Sequence, residues 1–193
     1  LVPVALLPVS VLASGYATLY SPATLLADDG LKAYVGAFNS AENKFRLTNV
    51  GEIIPAEQGV IIKAEEGLHL LAVTEQTSGA TSDFTGNFAT VEALPNVYTL
   101  QNGSVGVGLY PFANDSEGNI DGMQLKGFKA YWLPIGITPA AAYALDFDDV
   151  STGIFAAPTA NSAANGTLYD LSGRRVNRPL RGIYIKGGRK IVY

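Results

Sequence analysis

The chemistry open to this chain is limited by one histidine, His69, and by the complete lack of cysteine. Thiol nucleophiles, disulfides and zinc–thiolate sites are thereby excluded. His69 lies in Gly67-Leu68-His69-Leu70-Leu71, where alternation sets it opposite Leu68 and Leu70 and reads it as a solvent-face strand residue. A catalytic histidine would need a second histidine or a serine in a sharp Gly-x-Ser-x-Gly turn, and the sequence has neither. Carboxylates roughly 5 to 10 Å apart could hydrolyse a glycosidic bond. The pairs on offer are Glu65 with Glu66, Asp28 with Asp29, and Asp146 with Asp148 and Asp149. Neighbouring residues face opposite sides of a strand, so only Asp146 and Asp148 would share a side. A solvated strand edge accounts for the same residues.

Two further patterns could bind a ligand. Asp115, Glu117, Asn119 and Asp121 present alternating oxygen atoms, as calcium loops do, but the EF-hand's glycine at the sixth position and glutamate at the twelfth are missing. A hydrophilic hairpin loop is the other reading, and neither a metal nor another cofactor is expected. Trp132, Tyr110 and Phe112, with Tyr131 beside them, could form a flat platform for sugar rings. Packing in a core is the usual use of such side chains. Tyr131 and Trp132 are adjacent and must point opposite ways on a strand.

The elements that would position these residues read as strands. The 193 residues include 21 glycines and 10 prolines, with many Val, Ile, Thr, Tyr and Phe and no long run of helix formers, which favours an all-β fold, an antiparallel β-sandwich. Period-2 alternation predicts strands at 17–20, 32–38, 44–50, 59–63, 68–73, 97–101, 105–110, 127–133 and 142–147. Turns are expected at Asp29-Gly30, Asn102-Gly103 and Gly118-Asn119, with Asn102-Gly103 the clearest hairpin signal. Residues 74–94 lose the alternation and read as a long excursion with one poor strand near Asn87 to Val91. The apolar opening, Leu1 to Ala13, has no basic start and contains two prolines, so it reads as a strand rather than a signal peptide. No run is long and apolar enough for a transmembrane helix.

Charge divides the chain unevenly. Residues 1–166 hold six basic residues against sixteen acidic ones, whereas residues 167–193 hold seven against one. The two parts should attract each other, and removing residues 157–193 is expected to lower the melting temperature of the rest. Residues 156–166 are small and polar and read as a linker. The organisation expected is therefore a sandwich over 1–155, a linker over 156–166 and a short C-terminal β motif over 167–193, with strands at 167–171, 182–185 and 189–192 and a hairpin at Gly187-Gly188. A basic tail that alternates apolar and polar residues is not the usual nucleic-acid arm, and no nucleic acid is expected.

The tail reads Tyr169-Asp170-Leu171-Ser172-Gly173-Arg174-Arg175-Val176, then Gly182-Ile183-Tyr184-Ile185, then Gly188-Arg189-Lys190. This pattern resembles the C-terminal end of the type IX secretion sorting domain of gut-type Gram-negative bacteria, here as its terminal motif alone. Upstream, Ala13-Ser14-Gly15-Tyr16-Ala17-Thr18-Leu19-Tyr20, Gly30-Leu31-Lys32-Ala33-Tyr34 and Ile53 to Lys63 are similar to strings in secreted surface and cell-adhesion proteins. The resemblance implies an exported protein, secreted, at the cell surface or associated with the outer membrane. It implies a non-enzymatic domain in adhesion or structural display, a monomer or weak oligomer, whose partner is a host or bacterial surface protein or a glycan. A carbohydrate-binding module of a larger glycan-utilisation protein is the alternative.

Overall fold

In the computed structural model residues 5–103, 106–113 and 117–148 are described in full, together with the backbone of four strands between 168 and 192. The β-branched and aromatic runs form strands, the Gly- and Asn-rich breaks form turns, and the described residues contain no helix. The chain divides into two compact units, Leu1–Ser151 and Thr152–Tyr193.

The first unit contains β1 (Leu6–Val11), β2 (Tyr16–Tyr20), β3 (Leu25–Leu26), β4 (Lys32–Asn39) and β5 (Lys44–Asn49). There follow β6 (Ile53–Ile54), β7 (Gly59–Lys63), β8 (Gly67–Val73), β9 (Thr85–Asn87) and β10 (Val91–Glu92). The last are β11 (Tyr98–Gly103), β12 (Gly106–Pro111), β13 (Gln124–Leu125), β14 (Lys129–Tyr131) and β15 (Ala144–Phe147). A five-stranded sheet in the order β15-β5-β4-β7-β2 is its centre, and a four-stranded sheet runs β1-β8-β3-β6. The pairs β11-β12, β14-β9 and β10-β13 complete the set. All pairings are antiparallel except β15 on β5, which is parallel.

The central sheet is buried on both faces. On one, Ala17, Leu19, Ala33, Val35, Val60 and Ile62 pack against Val9, Val11, Leu25, Ile54 and Leu71 of the four-stranded sheet. On the other, Tyr34, Phe45, Leu47 and Ile61 meet Phe84, Tyr98, Leu109, Trp132 and Tyr143. This sandwiching explains why Val60-Ile61-Ile62 and Ala33-Tyr34-Val35 are apolar without interruption: a strand covered on both sides has no polar face to alternate with.

Phe84 lies so close to the central sheet that two positions under it admit no side chain. A Cβ on Gly36 would come within 2.3 Å of the Phe84 ring, and one on Gly59 within 2.7 Å of its carbonyl carbon. The backbones are bonded there too, Gly59 N–H to the Phe84 oxygen at 3.2 Å and Asp83 N–H to the Gly36 oxygen at 2.8 Å.

Several expectations shift in detail. The opening stretch does form a strand, β1, at an edge of its sheet where Pro8 can be accommodated. The β11–β12 hairpin is present, but Asn102 and Gly103 belong to its ladder, paired with Val107 and Gly106. The Asn-Gly pair therefore lies within the ladder rather than at the centre of the turn. The reason is Tyr110, whose ring covers Gly103 where a Cβ would lie 2.3 Å from it, and whose hydroxyl donates to the Gly106 carbonyl at 2.9 Å. Asp28 to Leu31 forms the expected turn, closed by Leu31 N–H to the Asp28 oxygen at 3.0 Å, with Gly30 at φ +80°. Near Gly118-Asn119 the hydrogen-bonded turn is Ile120–Met123, with Gly122 at φ +73°.

The second unit is a four-stranded antiparallel sheet in the order β17-β16-β18-β19, from β16 (Leu168–Tyr169), β17 (Arg175–Val176), β18 (Ile183–Lys186) and β19 (Arg189–Val192). Lys186 pairs with Arg189 at the end of β18–β19, with two residues between them, as the Gly-Gly signal implied. The linker expected at 156–166 lies outside the described residues.

Candidate functional site

The residues singled out for chemistry are dispersed. His69 lies on β8 opposite Val9 of β1, on the same face as the fully buried Leu71, and is itself half-buried. Leu68 and Leu70 are the outward residues, 65% and 51% exposed, so the alternation expected for this strand is inverted: Val9 and Val11 claim the inner face of the sheet. The His69 Nε2 lies 3.0 Å from the Glu65 carbonyl oxygen, an acceptor, so this nitrogen carries a hydrogen. Nδ1 is 3.8 Å from an Asp28 carboxylate oxygen. The ring thus holds the start of β8 close to the turn before β4.

Asp146 and Asp148 fasten the parallel strand β15 to β5. Asp146 accepts from the Lys44 ammonium at 3.1 Å, and the Asp148 carboxylate accepts from the Asn49 N–H at 3.1 and 3.3 Å. Lys44 also pairs with Glu42 at 3.2 Å. The hydrogen bonds to Asp146, then to Glu42, hold the Lys44 ammonium above the ordinary lysine range. Asp149 lies outside the described residues, as does Asp115 of the calcium candidate. Glu117, Asn119 and Asp121 are exposed, and the Asn119 side-chain oxygen accepts from the Asp121 N–H at 2.9 Å. Among the described residues no group of three or more histidines and carboxylates converges as a metal site would require.

The ring platform is overturned at Trp132. It is 4% exposed and enclosed by Phe38, Phe45, Tyr98 and Tyr143, with ring centroids 4.7 to 5.7 Å away. No face remains for a sugar. Core packing, the usual role, is what the structure gives it, since its backbone is bonded in both directions to Tyr98 and its side chain points into the aromatic cluster. Tyr110 spends one ring face on Gly103. Phe112 packs with Leu125 and Tyr131 and lines a cavity of about 220 Å³.

That cavity is where the structure gathers groups the sequence did not mark. Its walls include Thr18 of β2, Thr99 and Leu100 of β11, and the pair Lys126 and Lys129. A larger cavity of about 620 Å³ shares Thr18, Leu100 and both lysines, and adds Ser14 and Asn102 among others. Neither has an aspartate or glutamate in its lining.

The segment presenting the lysines is held by an unusual backbone. Phe128 has φ +59°, a conformation costly for a bulky side chain. Its N–H donates to the Asn87 carbonyl at 2.7 Å and its own carbonyl accepts from Tyr20 N–H at 3.1 Å. Gly127 admits this course because a Cβ there would come within 2.8 Å of the Phe88 carbonyl oxygen. Neither Lys126 nor Lys129 has a carboxylate partner among the described residues. Burial in the first place, and the neighbouring Lys126 charge in the second, hold the Lys129 ammonium below the ordinary lysine value.

Charge patterning alone could have flagged these lysines, since residues 1–166 have so few. Their meeting with Thr18 and Leu100, which precede Lys126 by 108 and 26 residues, could only come from the fold. No protein-family model, no curated protein and no solved structure matches the chain.

Proposed function

We propose that the chain is a non-enzymatic domain of an exported surface protein, acting in adhesion or structural display, and that it engages its partner through the paired cavities beside β2 and the β11–β12 hairpin. One observation carries this reading: two lysines with no carboxylate partner among the described residues share a concave surface with neutral polar side chains, in a part of the chain rich in acidic residues. A concave surface with a few convergent polar groups is where ligands are ordinarily held. The tail motif supports export and surface location. The carbohydrate-binding reading also gains support, from the hydroxyl and amide groups of Thr18, Thr99, Gln101 and Asn102 in the cavity walls, which suit sugar hydroxyls, rather than from an aromatic platform.

The test is to block the cavity without touching the core. Asn102 is exposed and lines the larger cavity, so Asn102→Trp should leave the melting temperature within about 1 °C, as surface substitutions do. On arrays of surface proteins and of neutral and charged glycans, the full chain should bind at least one class, and Asn102→Trp should reduce that binding about tenfold or more, a loss of ~1.4 kcal/mol. Unaltered binding by the blocked variant would remove the cavities from the recognition surface.

A further inference from the structure

The outer face of the four-stranded sheet β1-β8-β3-β6 is apolar. Its inner face carries Val9, Val11, Leu25, Ile54 and Leu71. The register of β1 on β8 fixes what the other face presents: Leu6 beside Ala72, Pro8 beside Leu70 and Ser10 beside Leu68. Leu26 of β3 and Ile53 of β6 continue it across the sheet. None of these eight positions carries a charge. Leu6, Leu68 and Leu70 are 52%, 65% and 51% exposed, and Leu12, just past the end of β1, is 69% exposed. These side chains leave roughly 400 Å² of apolar surface, a patch size that on monomeric proteins marks an interaction site.

We propose that this face is a self-association surface: a second copy of the chain packs its own β1–β8 face against it across a two-fold axis, as the two sheets of a sandwich pack. Area supports that occupant. Two such faces together, with Pro8, Leu26 and Ile53 counted, would withdraw on the order of 1,000 Å² from water, the lower bound for a specific interface. Charge supports it as well. The chain carries a net charge of -4 at pH 7, so like charge opposes the meeting of two copies, and it opposes it least where the facing surfaces are neutral. The inference goes beyond the cavity reading and does not depend on it, since Leu68 and Leu70 line neither of the cavities described above.

Face packing, rather than strand addition at the edge, follows from Pro8. Val73 N–H donates to the Ala5 carbonyl at 2.9 Å, which places the hydrogen-bonded positions of this ladder at Ala5, Leu7, Val9 and Val11. Leu6, Pro8 and Ser10 therefore turn their backbone groups to the free edge of the sheet. In the middle of that edge proline has no N–H to give, so an added strand would lose a bond of its ladder. The outward leucines stay open to a facing sheet. Pairing two chains through them presents two recognition cavities on one assembly, which raises avidity for a partner displayed in many copies.

The experiment is sedimentation equilibrium of the full chain from about 1 to about 500 µM, the range in which an interface of this size associates. The mass should approach that of two chains. Association should be unchanged or tighter when ionic strength rises from about 0.05 to about 0.5 M, because repulsion between the copies is screened. Weakening by about tenfold with salt would instead reveal attraction between the basic residues 167–193 of one copy and the acidic part of another, and would overturn the proposal. Leu68→Glu and Leu70→Glu, both at exposed positions, should each weaken association about tenfold or more, since each would bury an unpaired charge in the interface. Ile135→Glu, 85% exposed and outside this sheet, should change it about twofold at most, as a surface substitution does. Melting curves establish that each variant is folded. A single-chain mass at every concentration would overturn the proposal, as would association indifferent to both leucines. A single-chain mass with a large fall in melting temperature for Leu70→Glu would show the face covered within one chain, and rejects the second copy.

Discussion

Replacing Trp132 by alanine is expected to destabilise the first unit by about 3 to 5 kcal/mol, the usual cost of emptying a buried aromatic site. The size follows from its surroundings. Trp132 touches Phe38, Phe45, Tyr98 and Tyr143, all rings, two of them edge-on and two tilted. Rings cannot collapse into the space as flexible aliphatic chains would. The edge-to-face contacts with Phe45 and Tyr143, at 84° and 85°, are lost along with the buried area. Tyr143 is also tied down, since its hydroxyl donates to the Thr138 carbonyl and accepts from Ala140 N–H, both at 3.2 Å. Chemical denaturation followed by tryptophan fluorescence in the parent and by circular dichroism in both proteins measures the difference. A loss below about 1 kcal/mol would mean that the ring is not enclosed as described. The same result warns against using this substitution to test ligand binding, because weaker binding would report on folding.

Gly59→Ala is expected to cost about 2 to 3 kcal/mol, in the range of overpacked cores, and Gly36→Ala less. Both added methyl groups would collide with Phe84, but with different parts of it. At Gly36 the obstacle is the ring edge, a side chain packed on Phe45 rather than backbone. At Gly59 the obstacles include the Phe84 carbonyl carbon and oxygen, at 2.7 and 2.8 Å, so the backbone itself has to move. That movement also threatens the hydrogen bond from Gly59 N–H to the Phe84 oxygen. Denaturation midpoints for the two variants, and for each combined with Phe84→Ala, separate these effects. Removing the ring should relieve Gly36→Ala and leave most of the Gly59→Ala penalty, and relief of both alike would contradict the backbone clash.

Much of this architecture is legible in the sequence, and the parts that are not have a common cause. Strand β7 is found at its full extent from Gly59 to Lys63 because its apolar run is bounded by turn residues. The five-stranded sheet is not legible, because it depends on β15 returning in parallel to β5 from almost a hundred residues away. The Asn102-Gly103 signal misplaces a turn because Tyr110, on the partner strand, needs the glycine as a floor for its ring. His69 is assigned to the wrong face because Leu68 and Leu70 look like core residues until β1 is seen supplying Val9 and Val11 to the other side. Trp132 could be a platform or a core ring on sequence grounds, and only its neighbours decide. Lys126 and Lys129 carry no motif. What distinguishes them is the company of Thr18 and Leu100 and a cavity lining with no carboxylate among the described residues, and neither is local in sequence.

The parallel strand β15 has a mechanical consequence. It is the last strand of the first unit, so tension applied to the chain beyond Asp148 enters the fold there. Four residue pairs, Ala144 to Phe147 against Lys44 to Leu47, receive that load together with the Lys44–Asp146 ion pair. At the point of entry Asp148 is gripped twice, by its N–H to the Leu47 oxygen at 2.9 Å and by its carboxylate to Asn49 N–H. For a protein tethered at that end and holding a partner, the lifetime under force is set by how fast this strand tears away rather than by equilibrium stability. Asp148 is then a tensile fastening, and a variant lacking it would rupture early under pulling while melting nearly as before.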